Sequence, residues 1–307
     1  MQKLIIEAAL NETVTRAANR QVPLTPEEIA ADAQRCFDAG ASIVHFHPRD
    51  PATPEGELDI RLLADAPMYA RTMRLIKRQC GAICYPSSPY FNSAEGELYP
   101  HVRALREDKE VRLETFVFFV GAVNTGVWLP QKQKFVNDRV DHLPHGRAAS
   151  FLGWCRESGL KPQFGVREPG HVRHVYAYQQ LGLVHDPVVL HLNFSDTNPV
   201  GPLPDARGIH AFLDAAPAGK PPEWFMHIFS NKSKPGEAAP ESHRRLNMLA
   251  IAMGGHVRTG IGDLPRWDEE EPSNAQMVER FARMARDIGR EIASPDEARQ
   301  ILGLGRH

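Results

Sequence analysis

The chain has 307 residues with 42% hydrophobic side chains, and its 36 Lys and Arg residues nearly balance 38 Asp and Glu residues, giving a formal net charge of −2. This balance excludes a dedicated nucleic-acid binder, which would carry runs of excess basic residues. No apolar stretch reaches the roughly 18–20 residues of a membrane span, and Glu7 and Glu12 interrupt the segment where a signal peptide would be uniformly apolar. We therefore expect a cytoplasmic protein that binds neither membranes nor nucleic acids.

Short apolar runs alternate with longer amphipathic segments along the chain, which is typical of a parallel sheet covered by helices. The first strand is predicted at Leu4–Leu10. The first helix is predicted to begin at Thr25, because Pro26 follows it and Glu28 completes a capping box. Further strands are predicted at Ser42–His47, Ala82–Pro86, Glu114–Val120, Pro162–Val166, Val188–Phe194, Trp224–Phe229 and His256–Thr259.

Helical patterns separate most of these strands. They cover Arg61–Arg78, Tyr99–Arg106, Arg147–Ser158, Val172–Gln180, Ala206–Ala215 and Ser242–Met253, followed by Asn274–Ile288 and Pro295–Leu302. About eight strands alternating with helices predict a (β/α)8 TIM barrel with extra C-terminal helices, formed as one domain over residues 1–307. An open doubly wound sheet is the alternative, but no Gly-x-Gly-x-x-Gly motif follows the first strand.

The four cysteines form neither a disulfide framework nor a zinc knuckle in their number or spacing. They are Cys36, Cys80, Cys84 and Cys155. We expect all four to be small buried hydrophobic side chains.

Two histidines at the end of the second predicted strand form the sharpest local pattern. His45 and His47 are two residues apart, so they face the same side of the strand, about 6.5–7 Å apart along the chain. Two imidazoles at this spacing can bind one metal ion, and zinc is favoured. The alternative is a pair of core or loop histidines that bond to their neighbours. A zinc site also needs a third protein ligand, which this pair does not supply.

The stretch from 255 to 263 predicts a strand that runs into a glycine-rich turn. Arg258 and Asp263 are placed there to orient a carboxylate or to relay a proton, although a solvated loop with a surface salt bridge explains the stretch equally well. Two weaker patterns also follow predicted strands. One carries the hydroxyl of Ser87, and the other carries the amide of Asn124 between two glycines.

Together these motifs resemble the zinc-dependent β-keto acid cleavage enzymes, whose founding activity is 3-keto-5-aminohexanoate cleavage. The resemblance extends through Leu4–Leu10, Thr25–Glu28, His45–Arg49, Gly254–Gly260 and Ser273–Leu302. It implies a TIM barrel, usually a homotetramer, with one Zn²⁺ per subunit. It also implies that a β-keto acid reacts with the co-substrate acetyl-CoA to give acetoacetate and a new CoA ester.

By position, His45 and His47 match the zinc ligands of that family, and zinc there acts as a Lewis acid. Asp263, held by Arg258, matches the general base that removes a proton between the keto group and the carboxylate. Ser87 matches a hydroxyl that contacts the substrate. The residues that we expect to bind substrate are Asn124, Arg49 and Glu168.

Two positions depart from the family pattern. The third zinc ligand of the family is a glutamate directly before the dyad aspartate, where this chain has Gly262. A threonine that stabilises the oxyanion aligns with Ala122, a loss on the order of 2–4 kcal/mol if nothing replaces it. Glu7 on the first strand is the hypothesis for the replacement ligand, although it could equally pair with an arginine inside the barrel. Further candidates for that ligand are Glu168, His171 and His227.

Two other functions remain open at this point. A His-x-His pair on a barrel strand also occurs in metal-dependent amidohydrolases, although there it lies on the first strand. A degenerate barrel that binds a keto acid or acyl-CoA without turnover is the second alternative, because of Gly262 and Ala122. The loop residues that we expect to set substrate specificity are Tyr90, Phe91, Asn92, Trp128, Arg167 and Asn231.

Overall fold

Eight parallel strands form a nearly closed barrel in the computed structural model, which describes residues 1–50, 52–53, 56–89, 96–196, 198–229, 241–268 and 270–305. The strands are β1 (Ile6–Ala9), β2 (Ile43–His45), β3 (Ile83–Tyr85), β4 (Thr115–Phe119), β7 (Lys161–Val166), β8 (Val189–Ser195), β9 (Glu223–Phe229) and β10 (His256–Thr259). Their order is β3-β2-β1-β10-β9-β8-β7-β4. The predicted TIM barrel is thereby confirmed.

Helices connect successive strands and cover the outside of the barrel. They are α1 (Pro26–Ala39), α2 (Ala66–Gln79), α3 (Pro100–Glu107), α4 (His145–Ser158), α5 (Pro169–Gln180), α6 (Ala206–Leu213), α7 (Glu241–Met253) and α8 (Asn274–Asp287), followed by the additional helix α9 (Pro295–Leu302). Among the helices of the described residues, none is both long and apolar enough to cross a membrane.

An antiparallel hairpin is inserted between β4 and α4. Its strands are β5 (Gly121–Leu129) and β6 (Lys134–Leu143), with Asn124 opposite Val140. Trp128, which is expected in a loop, lies on β5 instead. Trp128 and Phe135 pack against each other on the hairpin, with ring centroids 4.9 Å apart.

The helix α1 begins where the capping box predicts. The Thr25 hydroxyl accepts a hydrogen bond from the backbone N–H of Glu28, and the Glu28 carboxylate accepts one from the backbone N–H of Thr25. Each bond satisfies a backbone donor that has no partner within the helix.

Replacing Thr25 with alanine removes one of these two bonds and is expected to lower the free energy of unfolding by about 1 kcal/mol. Urea denaturation followed by circular dichroism measures the loss. Thr25→Ser keeps the hydroxyl and should stay within a few tenths of a kcal/mol of the natural chain. An equal loss in both variants would mean that the hydroxyl does not cap the helix.

The interior of the barrel carries polar side chains that are fully buried and bonded to one another. His191 Nε2 lies 2.8 Å from the amide oxygen of Gln163, and the Gln163 amide donates to the hydroxyl of Thr115 at 3.1 Å. Burying such groups without partners would cost several kcal/mol each. The hydrogen bonds among these side chains offset this cost.

Candidate active site

Three side chains converge at the carboxyl ends of β1 and β2. His45 is the last residue of β2, His47 follows two residues later, and Glu12 lies in the loop after β1. The Nε2 atom of His45 lies 3.2 Å from Glu12 Oε1, and Nε2 of His47 lies 2.9 Å from Glu12 Oε2. One ligand atom from each residue lies within 4.8 Å of the other two. Two imidazoles and one carboxylate are a ligand set that binds zinc and leaves a further coordination position open.

The protonation of these groups suits a metal ligand set. Nδ1 of His45 lies 3.2 Å from the backbone oxygen of Tyr85, and the tautomer in which Nδ1 donates to that oxygen has its Nε2 lone pair available for a metal. Burial lowers the pKa of His47, which favours the neutral ring. Burial alone would raise the pKa of Glu12, but the His47 ring, when protonated, and the permanent charge of Arg258 lower it well below its usual value. Neutral imidazoles and an ionised carboxylate are the forms that bind metal.

A buried guanidinium links this cluster to the floor of the barrel mouth. Arg258, on β10, donates to Asp263 through Nε at 2.9 Å and NH2 at 3.1 Å, and to Glu7 through NH1 at 2.7 Å. Its NH2 group also bonds Glu12, and the Tyr85 hydroxyl donates to Glu7. The register of the parallel pair β1 and β10 places Glu7 directly beside Arg258. The interior of the mouth is therefore one continuous network of charged hydrogen bonds.

Negative charge exceeds positive charge in this network. Three carboxylates, those of Glu7, Glu12 and Asp263, share the guanidinium of Arg258. Glu7 and Asp263 are almost completely buried, and Oε2 of Glu7 has no hydrogen-bond partner among the described residues. Uncompensated buried charge is costly, so a divalent cation between Glu12 and the two imidazoles would stabilise the arrangement.

Asp263 combines an anchored position with a pKa suited to proton transfer. Burial raises the pKa of Asp263 to about 6, although the Arg258 guanidinium opposes this shift. Its Oδ1 atom lies 3.7 Å from Nε2 of His227, whose pKa burial lowers well below its usual value. A carboxylate with a pKa near neutrality is an effective general base.

A cavity of about 190 Å³ opens above these groups. Glu12, His45, His47, His227 and Arg258 line its polar side, and Val117 and Phe119 line its apolar side. Tyr85 and the loop Pro86–Pro89 complete the described wall together with Arg167. A space of this size takes a small metabolite rather than a polymer.

Several expected site residues have other positions. Glu7 does not join the metal-binding cluster, because its carboxylate is bonded to Arg258 and Tyr85; Glu12 is the carboxylate beside the imidazoles. Glu168 accepts a hydrogen bond from Gly201 N at 2.9 Å, away from the described cavity lining.

The hairpin explains two further differences. Asn124 and Ala122 both lie exposed on β5, beyond the end of β4, and neither is among the described residues that line the cavity. The cavity face of β4 is formed by Val117 and Phe119 instead. Ala122 matches the family's oxyanion-stabilising threonine by position. Because Ala122 lies on β5, the residues of β4 that line the cavity are apolar and supply no such hydroxyl.

Arg49 is buried, but it contacts backbone rather than the cavity. Its NH2 group donates to the backbone oxygens of Asn11 at 3.2 Å and Val14 at 3.5 Å, and also to that of Glu12. Arg49 therefore holds the loop that carries Glu12. The Asn11 side-chain oxygen accepts a hydrogen bond from the backbone N–H of His47 at 2.8 Å, which joins the same loop to His47.

The remaining candidates divide between the cavity and its surroundings. Ser87, Arg167 and His227 line the cavity, whereas His171 packs against Gly121 at the base of the hairpin. Trp128 is exposed on the hairpin. Tyr90, Phe91, Asn92 and Asn231 lie outside the described residues.

Comparison with known proteins decides the family. The model of the beta-keto acid cleavage enzyme family matches residues 3–304. The chain belongs to the β-keto acid cleavage enzyme family. It is 32% identical over 310 residues to a 3-keto-5-aminohexanoate cleavage enzyme of Fusobacterium nucleatum, an alignment that covers 99% of both chains. It is 27% identical to a 3-oxoadipate:acetyl-CoA acetyltransferase of Cupriavidus necator, over 99% of this chain and 95% of that one.

The solved structure of ObcA in a binary complex with oxaloacetate shares the fold of this β-keto acid cleavage enzyme family member. It superposes with a TM-score of 0.63 at 16% sequence identity, over 93% of this chain and 68% of that one. At this identity the similarity supports the barrel architecture alone. Membership of the family makes the chain an enzyme of the carbon–carbon bond-cleaving class and favours this class over the amidohydrolase alternative.

Proposed function

We propose that the chain is a zinc-dependent β-keto acid cleavage enzyme that uses acetyl-CoA as co-substrate and releases acetoacetate and a new acyl-CoA. One observation carries the proposal: Glu12, His45 and His47 line the same cavity as Arg258, and the Arg258 guanidinium is bonded to the Asp263 carboxylate. The names of the relatives support the substrate class, since one is a 3-keto-5-aminohexanoate cleavage enzyme and another transfers to acetyl-CoA.

The reaction requires a base at the carbon between the keto group and the carboxylate of the substrate. In the proposal, Asp263 removes a proton from this carbon, while the bidentate hydrogen bonds from Arg258 hold the Asp263 carboxylate in place. The resulting enolate attacks the thioester carbon of acetyl-CoA, a carbon–carbon bond forms, and the CoA thiolate leaves. That thiolate then attacks the original keto carbon, and a retro-Claisen cleavage releases the new acyl-CoA and the enolate of acetoacetate. The enolate takes back the proton from Asp263 to give acetoacetate.

Glu12, His45 and His47 are the residues that would hold zinc. When bound there, zinc would supply Lewis-acid stabilisation of the developing enolate charge. The low exposure of the two histidines, 5% and 6%, excludes most water from this side of the cavity and strengthens charge interactions within it. Ser87, on the opposite wall, is the proposed hydroxyl contact to the substrate. The expected homotetramer belongs to the same proposal.

The direct test is incubation of the zinc-loaded protein with a panel of β-keto acids and acetyl-CoA. We expect acetoacetate and a new acyl-CoA to form in equal amounts with at least one acid, and His47→Ala to abolish both. His185→Ala removes an exposed histidine and should leave turnover unchanged. Tight binding without turnover would favour the degenerate barrel, and amide hydrolysis would favour the amidohydrolase alternative. Either result would contradict the proposed cleavage reaction.

A further inference from the structure

Glu12 and Gly262 lie in contact at the barrel mouth. A Cβ atom on residue 262 would lie 2.6 Å from Glu12 Cγ and 3.0 Å from Glu12 Cβ. Carbon atoms pack favourably at about 3.5–4.0 Å, so the contact with Cγ is a severe overlap and the contact with Cβ is tight. The overlapping atoms belong to the base of the Glu12 side chain. Glu12 therefore cannot relieve the overlap by moving its carboxylate end alone.

Gly262 is not a glycine for reasons of its own backbone conformation. Its φ angle lies outside the left-handed region, in contrast to Gly260 nearby, which has a φ of 138°. Its backbone N–H donates to Ala9 O at 3.0 Å, an ordinary hydrogen bond that any non-proline residue can make. The close approach of Glu12 and of the Ala9 carbonyl is what excludes a side chain at this position.

The backbone of Glu12 is itself held in a costly conformation. Glu12 has a φ of 39°, which non-glycine residues seldom adopt. Arg49 donates to the carbonyl oxygens of this loop, and Asn11 joins the loop to the backbone of His47. Strained residues that are clamped in this way are typical of functional sites.

We propose that Glu12 is the third metal ligand of this chain, and that Gly262 is a positioning residue whose missing side chain leaves the space that Glu12 occupies. A carboxylate side chain at position 262 would enter the same space beside the two imidazoles. The third ligand carboxylate can therefore come from position 12 or from position 262, but not from both. This inference rests on the proposed function for the metal and for Glu12 among the residues that would hold it, and it adds the role of Gly262 in leaving space for Glu12.

The test measures zinc affinity by competition with a chromophoric chelator. We expect Glu12→Gln to lower the affinity about 10–100-fold, and Gly262→Ala to lower it by a similar factor while Glu12 is still present. Gly81→Ala is the matched control, because Gly81 has no atom within 4 Å of an added Cβ and no left-handed backbone. Its affinity should equal that of the natural chain.

The decisive variant is the double exchange Glu12→Gly with Gly262→Glu. We expect it to restore zinc affinity to within a few-fold of the natural chain, which a purely structural role of Gly262 would not achieve. Unchanged zinc affinity in Gly262→Ala would overturn the inference while leaving the proposed function intact, because Glu12 and the two histidines would still bind zinc. Absence of zinc binding in the natural chain would overturn both. Thermal unfolding of each variant identifies any that fails to fold, and Glu12→Gln keeps the backbone unchanged.

Discussion

Replacing Asp263 with asparagine is expected to lower kcat by about 10²–10⁴-fold, because the amide cannot accept the substrate proton. Zinc content should stay stoichiometric, since Asp263 is not one of the three residues of the metal-binding cluster. Asp38→Asn is the control: Asp38 is an exposed carboxylate near the end of α1 that accepts a hydrogen bond from the Gln34 amide at 2.8 Å. Steady-state assays of both variants on one β-keto acid measure the difference. Equal rates in the two variants would remove Asp263 from the mechanism.

The pH dependence of the natural chain provides an independent check on the same residue. Burial raises the pKa of Asp263 to about 6 against the opposing charge of Arg258. The base acts only when ionised, so kcat/KM should be constant above this pKa and should fall about tenfold per pH unit below it. Bound zinc would shift the break to lower pH, because a nearby cation favours the ionised carboxylate. A break that persists unchanged in Asp263→Asn would belong to another group.

Replacing Arg258 with methionine is expected to lower the free energy of unfolding by about 3–5 kcal/mol, because the carboxylates of Glu7, Glu12 and Asp263 lose their shared counter-charge. Urea denaturation of metal-free protein at pH 7 measures the loss. Arg61→Met is the control, since Arg61 pairs with Asp59 on the surface, where solvent screening leaves such a pair with little effect on stability.

The destabilisation in Arg258→Met should also depend on pH. Without the guanidinium, burial raises the pKa of each remaining carboxyl in the folded state, so folding is favoured where these groups are protonated. The variant should therefore be less destabilised at pH 5 than at pH 7. A loss below 1 kcal/mol that does not change with pH would show that Arg258 does not compensate these carboxylates.

The barrel itself follows from patterns that are visible in the sequence. Each predicted strand overlaps an observed one, because fully buried parallel strands carry continuous apolar runs. The hairpin β5–β6 does not follow in this way. Val123 and Leu143 are buried at its base, but Trp128, Phe135 and Val140 are exposed farther along, so the apolar residues there do not mark a buried face.

The site was predictable to the extent that strand ends determine it. His45, Arg258 and Asp263 converge because the carboxyl ends of parallel strands meet at one edge of the barrel. Glu12 was not predictable, because its carboxylate reaches the histidines only through a loop with a left-handed residue. The inward orientation of Glu7 was predicted, but strand periodicity cannot give the register that pairs it with Arg258.

The placement of the four cysteines matters for an enzyme that would handle thioesters. All four are buried, and burial raises the pKa of each thiol, to about 12 for Cys84. Cys84 precedes Tyr85 on β3, so its side chain points away from the interior that Tyr85 faces. An acyl group carried on CoA would therefore meet no ionised sulfur of the protein. Burial of all four cysteines therefore disfavours transfer of the acyl group onto a protein thiol.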